Sequence, residues 1–154
     1  MGASLIYDPA MRSTSAGPDA FLLVFDTGDE IVETLRRFAT SSGIQSAHFQ
    51  GIGGLHHATI AYWNWDTKQY EDIAVDEQVE VMSILGNITR AGDGFKVHAH
   101  VVLGRRDGST IGGHLKQGFV RPTAEVVVTA IPTAISRERD PKTELELIKL
   151  PPSS

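Results

Sequence analysis

The chain of 154 residues has the length of a single domain, and its 41% hydrophobic and 21% charged content is typical of a folded globular protein. This composition excludes a disordered or collagen-like chain, and no run approaches the roughly 18 apolar residues of a membrane-spanning helix. Cysteine is absent, which excludes disulfides, a thiolate nucleophile and a cysteine zinc site, so a metal site would need His, Asp or Glu. The formal net charge of −5 argues against binding to nucleic-acid phosphates through the overall field alone.

Both ends of the chain are predicted to lie outside the folded core. Residues 1–19 are rich in Ser, Gly, Pro and Ala and indicate a flexible N-terminal segment, while Pro151 and Pro152 indicate a frayed tail over 150–154. The residues between them, 20–149, form one predicted domain without internal repeats. The first residues lack the basic and apolar segments of a secretion signal, so we expect a cytoplasmic protein without a membrane partner.

The clearest local pattern is a helix over about residues 28–42. Thr27 and Glu30 have the Thr-x-x-Glu spacing of a capping box, and Gly43 is suited to the left-handed position that ends a helix. Apolar residues recur at the spacing of one helical face: Ile31, Leu35 and Phe38.

Strand patterns fill most of the remaining sequence. An apolar run at 21–25 predicts a strand buried on both faces, and the glycine-rich segment 51–54 predicts a turn or bulge. The further candidate strands cover residues 45–50, 55–63, 68–75, 78–90, 95–104, 109–115, 123–135 and 143–149. One helix packed on a large, mostly antiparallel sheet is an α+β fold, which we predict for the whole domain.

Three histidines carry the strongest chemical pattern. His98 and His100 are two residues apart in a predicted strand, so their side chains share one face. The other face of that strand is wholly apolar and must be the core side: Phe95, Val97, Ala99, Val101 and Leu103. The two histidines therefore stand on the more polar face.

The turn after this strand determines whether His114 joins them. With a two-residue turn, His114 would lie opposite Val101, with its side chain on the core face. A three-residue loop over 106–108 places His114 directly opposite His100, and it suits Gly108 because such loops hold Gly in a left-handed position. Directly opposed residues have Cβ atoms about 5 Å apart, and diagonal ones about 7–8 Å.

Three imidazoles at that spacing predict a site for one divalent metal ion, held by His98, His100 and His114. Imidazole suits zinc, nickel, copper or iron rather than magnesium or calcium, and zinc is our first choice. Three protein ligands leave a coordination position open, and Gly112 and Gly113 carry no side chain to crowd it. The alternative is a set of half-buried sheet histidines with ordinary hydrogen bonds.

Four other candidates are weaker. Glu80 and Glu125 lie within apolar runs, and a buried carboxylate must be paired or protonated. Either could accept a hydrogen bond from a ligand histidine or from a structural partner. His56 and His57 are adjacent and face opposite sides of a predicted strand, so at most one could join a site, and we expect structural roles.

As a set, these segments resemble the plants-and-prokaryotes-conserved (PPC) domain of prokaryotic type, over about residues 20–149. The resemblance rests on the helix at 29–42, the segment 51–54 before the Ala58-Thr59-Ile60 strand, and four runs: Glu80 to Ile88, His98 to Val101, Gly112 to Leu115 and Glu125 to Val128.

The resemblance implies an α+β fold, a homotrimer, and a metal-binding role for the His-x-His and Gly-Gly-His elements, which here are His98, His100 and His114. The family carries a DNA-binding label because its plant members join this domain to AT-hook segments. This chain departs from that pattern, since it has no Arg-Gly-Arg-Pro core and instead has Arg121-Pro122 after Phe119-Val120.

Three hypotheses about function remain open. The first is a trimeric protein with a three-histidine divalent metal site, which binds a small ligand or assists hydrolysis through a metal-bound water. The second is a DNA-binding or DNA-associated regulatory protein that acts through partners. The third is a structural oligomeric domain without a ligand.

Overall fold

The computed structural model describes residues 11–150, which form one helix and nine strands. In chain order they are β1 (Met11–Ser15), β2 (Ala20–Asp26), α1 (Ile31–Ser42), β3 (Ser46–Asn64), β4 (Gln69–Val75), β5 (Val79–Ala91), β6 (Gly94–Gly104), β7 (Thr110–Ile131), β8 (Ser136–Arg139) and β9 (Glu146–Lys149). This is the predicted α+β fold. Within these residues no helix has the length and apolar character needed to cross a membrane.

The strands form one sheet, in which all but one of the pairings are antiparallel. The order is β1-β2-β7-β3-β5-β8-β9, with β4 on β3 and β6 between β5 and β7. The exception is a single parallel bridge between β5 and β8. Because β6 pairs with β5 and β7, and both of these pair with β3, the four strands form a closed circuit. Such closure leaves β6 without a free edge.

The core lies between this curved sheet and α1. The helix buries the face predicted from its spacing, with Ile31, Leu35 and Phe38 all at most 1% exposed. The Phe38 ring meets the Phe21 ring edge-on at a centroid distance of 5.3 Å. On β6, the apolar side chains on the face away from the histidines are buried in this core: Val97, Ala99, Val101 and Leu103.

The helix begins later than predicted, and Thr27 does not cap it. Glu30 is itself the N-cap, and its carboxylate accepts hydrogen bonds from the backbone N–H groups of Val32 (3.2 Å) and Glu33 (2.7 Å). The same carboxylate accepts from Gly118 N–H in β7 at 2.8 Å, which ties the helix start to the sheet. Gly43 ends the helix with φ 71°, which confirms the predicted left-handed cap.

The flexible N-terminal segment predicted over 1–19 is wrong for residues 11–15. They form β1, which pairs with β2 from Met11 opposite Phe25 to Ser15 opposite Phe21. Met11 and Ser13 are buried while Arg12 and Thr14 are exposed, so the alternation of a strand anchors the segment on the core. Residues 1–10 and the tail 151–154 lie outside the described part of the chain.

Two strands are longer than predicted because irregularities do not end them. β3 continues through Gly51–Gly54, with the expected bulge between Gly51 and Gly53, so the candidates 45–50 and 55–63 are one strand. A Cβ at Gly53 would lie 2.5 Å from the Cα of Ala124, so glycine permits the close approach of β7 there. Likewise β7 joins the candidates 109–115 and 123–135 into one strand.

Candidate metal centre

The loop between β6 and β7 has the predicted three-residue form. Arg105 N–H donates to the Ser109 carbonyl at 2.8 Å, which closes the loop over 106–108. Gly108 has φ 84°, the left-handed position that this loop requires. His114 therefore pairs directly with His100, and its side chain is on the same face as His98 and His100.

Gly112 and Gly113 allow the strands beside this hairpin to approach. A Cβ at Gly113 would lie 2.8 Å from the carbonyl oxygen of Ala61 in β3. A Cβ at Gly112 would lie 2.9 Å from the carbonyl oxygen of Val101 in β6. The pair thus keeps β7 tightly between its two neighbours, which places His114 in the row of the other two rings.

The three imidazoles converge. Ring centroids are 5.2 Å apart for His98 and His100, 5.1 Å for His98 and His114, and 5.7 Å for His100 and His114. Each ring offers a nitrogen, and these three nitrogens lie within 4.8 Å of one another. Tetrahedral zinc with bonds of about 2.0–2.1 Å needs ligand nitrogens roughly 3.3 Å apart, so small side-chain rotations bring the set onto one ion.

The surroundings keep two of the rings neutral. Burial lowers the pKa of His98 from 6.5 to about 4, with further lowering by Arg137 and His100. Burial likewise lowers the pKa of His114 to about 4, helped by His98 and His100. A neutral imidazole has the free lone pair that a metal ion needs, so these two side chains are ready ligands at pH 7.

The immediate neighbours of the triad come from β4 and from the β8–β9 hairpin. The Tyr70 ring lies 5.0 Å from the His114 ring, centroid to centroid, at a tilt of 33°. Arg137 Nη2 lies 3.5 Å from His98 Nδ1. His114 Nδ1 is buried and has no hydrogen-bond partner within residues 11–150.

A cavity of about 560 Å³ opens onto the triad. This volume is within the range of small-molecule sites, about 300–1,000 Å³. Trp63 and Tyr70 form an aromatic side, and their rings meet edge-on at 4.9 Å. Lys96, Arg137 and Glu146 are the charged side chains that line it. The donor set and the adjoining cavity fit an imidazole-bound metal ion with an accessible ligand position.

The carboxylates that sequence patterns placed in apolar runs are not part of this site. Glu80 and Glu125 are both exposed, because strand alternation turns them away from the core. Neither belongs to the cluster that could hold a metal ion, which among the described residues consists of His98, His100 and His114. The expectation that they are buried is wrong.

The adjacent histidines also lie apart from the triad. His57 Nδ1 lies 2.6 Å from the Asp76 carboxylate, which gives it a structural partner. His56 Nδ1 is buried without a hydrogen-bond partner within the described residues, and its ring lies 6.2 Å from the Phe119 ring. Neither histidine is in the group that could hold a metal.

Sequence reasoning missed Arg137 and Tyr70 at this site. Both lie on short strands whose return to the triad depends on long-range pairing. The only available signal was Tyr70 in the predicted strand 68–75, which gives no indication of what it contacts.

The sequence profile of the Plants and Prokaryotes Conserved (PCC) domain matches residues 12–132. The chain belongs to this family. The match confirms the resemblance to the PPC domain and ends before the β8–β9 hairpin, so that hairpin lies outside the matched residues.

Several solved structures are similar over most of the chain. The metal-containing protein AF0104 of Archaeoglobus fulgidus is 34% identical, with a TM-score of 0.79, over 83% of this chain and 91% of that one. A Bacteroides thetaiotaomicron protein described as a candidate DNA-binding protein is 28% identical, with a TM-score of 0.87, over 91% and 97%. A PPC protein of Pyrococcus horikoshii is 29% identical, with a TM-score of 0.80, over 96% and 100%.

Among curated proteins, the bifunctional protein GlmU of a Synechococcus strain is 31% identical over 136 residues. The match covers 82% of this chain but 21% of that protein, so the chain spans about a fifth of the relative's length.

Proposed function

We propose that this protein binds one divalent metal ion, zinc, through His98, His100 and His114. The convergence of three imidazoles from two paired strands carries the proposal, since their nitrogens lie within 4.8 Å of one another beside a cavity. The similarity to a protein described as metal-containing, at 34% identity, supports it.

The role of the ion is small-ligand binding or hydrolysis. A bound zinc with three histidine ligands would supply a Lewis acid and an open coordination position. The chain's own residues contribute binding and orientation. The Tyr70 ring packs against the His114 ring, and Trp63 lines one side of the cavity.

Metal analysis of protein purified without a histidine tag tests the assignment. We expect about one zinc ion per chain in the wild type and none in the double variant His100→Ala/His114→Ala. His48→Ala is the matched control, because His48 is an exposed strand histidine outside the triad, and it should retain the metal. Zinc that persists in the double variant would refute the assignment, and a metal-free, fully stable wild type would favour a structural domain.

We also propose a homotrimer, which the resemblance to the PPC domain implies. An uncovered apolar row supports it, because the cross-strand register places Leu22, Val127 and Leu85 in one row across one side of the sheet, with Gln50 between the last two. Large apolar side chains on this side are 37–59% exposed: Leu22, Ile52, Met82, Leu85, Val102 and Val127. A row of this kind on a folded chain marks an interaction surface.

The mass in solution tests this assembly. Three copies of the 16.7 kDa chain should appear at about 50 kDa by light scattering. Leu85→Glu should shift the mass toward one chain, while Thr40→Glu on the exposed side of α1 should not. A wild type that stays at the mass of one chain at high concentration would refute the trimer.

The second candidate function is DNA association, which the description of the Bacteroides neighbour favours. The net charge of −5 opposes direct binding. Titration of duplex DNA across salt concentrations distinguishes direct DNA binding from association through partners, because phosphate contacts are strongest at low salt. No detectable affinity at low salt would exclude direct binding.

A further inference from the structure

The β8–β9 hairpin lies outside the residues that match the family, and it still forms one side of the cavity beside the triad. Arg137, Leu145, Glu146 and Leu147 all line it. A single backbone bridge, between Arg90 and Ser136, joins β8 to β5. Side chains supply the remaining attachment, so the hairpin adds to the site a group of residues that the family profile does not include.

Arg137 is held in place by neutral acceptors. Its Nε donates to Thr89 Oγ1 at 2.8 Å, its Nη2 donates to Asn87 Oδ1 at 2.8 Å, and its Nη1 donates to the Glu146 backbone carbonyl at 2.8 Å. None of these bonds, found among residues 11–150, goes to a carboxylate. The guanidinium is therefore fixed beside the triad with its charge uncompensated by a direct ion pair.

The charges of the cavity sum to a positive value. Lys96 Nζ lies 2.8 Å from the Glu146 carboxylate, so these two charges compensate each other. Arg137 then leaves one net positive charge among the cavity's Lys, Arg and Glu side chains. Imidazole ligands carry no negative charge, so they would not offset the charge of a divalent ion. A partly buried site with this balance favours an anion, because attraction is stronger where water is reduced.

The remaining walls are apolar. Trp63 and Tyr70 line one part of the cavity, and Leu145 and Leu147 line another. Aromatic and aliphatic walls with a few fixed polar groups are typical of sites for small organic ligands. The Arg137 guanidinium has five N–H groups, of which three form the bonds above, so its positive charge and remaining donors are available to a carboxylate.

We infer that this cavity binds a small organic carboxylate with a planar apolar body, and that Arg137 is its anion-binding residue. The inference rests on the proposed metal site and adds to it a ligand class and a residue from outside the family match. The carboxylate is bound at Arg137 beside the triad, and the apolar body packs against Trp63, Tyr70 and Leu147.

Fluorescence of a single tryptophan tests this. The chain has two tryptophans, and Trp65 is exposed with the Lys68 ammonium over its ring, away from the cavity lining. In the Trp65→Phe background, Trp63 is the only reporter. We expect benzoate to change its emission saturably in zinc-loaded protein, and neutral benzamide and inorganic phosphate to bind at least roughly tenfold more weakly.

Variants assign the effect to one residue. Arg137→Gln should lower the affinity for benzoate roughly tenfold or more without loss of zinc. Arg137→Lys should lower that affinity less, because it keeps the charge. Arg139→Gln is the matched control, since Arg139 is on the same strand, pairs with Glu144 at 3.5 Å and does not line the cavity. It should bind benzoate within about twofold of the parent.

Zinc content measured on every sample separates the two levels of the proposal. A parent without zinc overturns the metal site and this inference together. A zinc-loaded parent that ignores benzoate, binds benzamide equally or prefers phosphate overturns the carboxylate assignment alone. Equal benzoate affinity in Arg137→Gln overturns the role of Arg137, and if that variant does not fold, Arg137→Lys and the benzamide comparison carry the test.

Discussion

The metal-free protein should lose stability between pH 6.5 and about pH 4 because of two histidines. The pKa values of His98 and His114 are lowered from 6.5 to about 4 in the folded state, chiefly by burial. The unfolded chain therefore binds more protons than the folded chain in this window. The free energy of unfolding is highest above pH 6.5, falls as the pH drops, and levels off below about pH 4.

The size of the effect follows from the two shifts. Between pH 7 and pH 5, one such histidine with a fully effective shift would cost about 2 kcal/mol. Both rings are half-buried and lie near each other, so solvent screening and coupling reduce the combined cost to about 2 kcal/mol for the pair.

Urea unfolding in the presence of a chelator measures this loss of stability in the metal-free protein. The free energy of unfolding is compared at pH 7 and pH 5 for the wild type and for His98→Asn/His114→Asn. Other titrating groups contribute to both proteins, so the difference between their pH dependences isolates the pair. His48→Asn, at an exposed position, should keep the wild-type dependence. An unchanged pH dependence in the double variant would show that the rings do not resist protonation and refute the reasoning.

Three further substitutions test how the fold supports the site. Gly113→Ala should lower both thermal stability and zinc content, because its Cβ would lie 2.8 Å from the Ala61 carbonyl oxygen. Calorimetry measures the first effect and metal analysis the second, and wild-type values in both would contradict this account. Leu103→Ala should cost about 2–5 kcal/mol in urea unfolding, since the side chain is fully buried on the core face of β6, while the folded fraction keeps its zinc. Glu30→Ala should cost about 0.5–2 kcal/mol or somewhat more, because it removes the helix cap and the bond from Gly118, and a change below the error of the unfolding measurement would argue against the cap.

Local patterns were enough to predict the helix face, the hairpin loop and the convergence of three histidine side chains on one face. The loop over 106–108 sets the register of β6 on β7, and one residue more or fewer would turn His114 to the opposite face. Strand alternation then places His98 and His100 away from the buried side chains of β6. These inferences succeeded because periodicity and turn geometry act over a few residues of chain.

Contacts between distant segments required the tertiary structure. Arg137 reaches Thr89, 48 residues away in sequence, and Glu30 reaches Gly118, 88 residues away, and no local period signals either contact. β1 is a further example. Its polar composition predicts flexibility, but the structure pairs it with β2, which satisfies its backbone hydrogen-bonding groups. The closeness of three histidines on one hairpin can be predicted because chain connectivity brings its two strands together. Residues that surround them come from separate strands, whose packing follows from burial of the whole core.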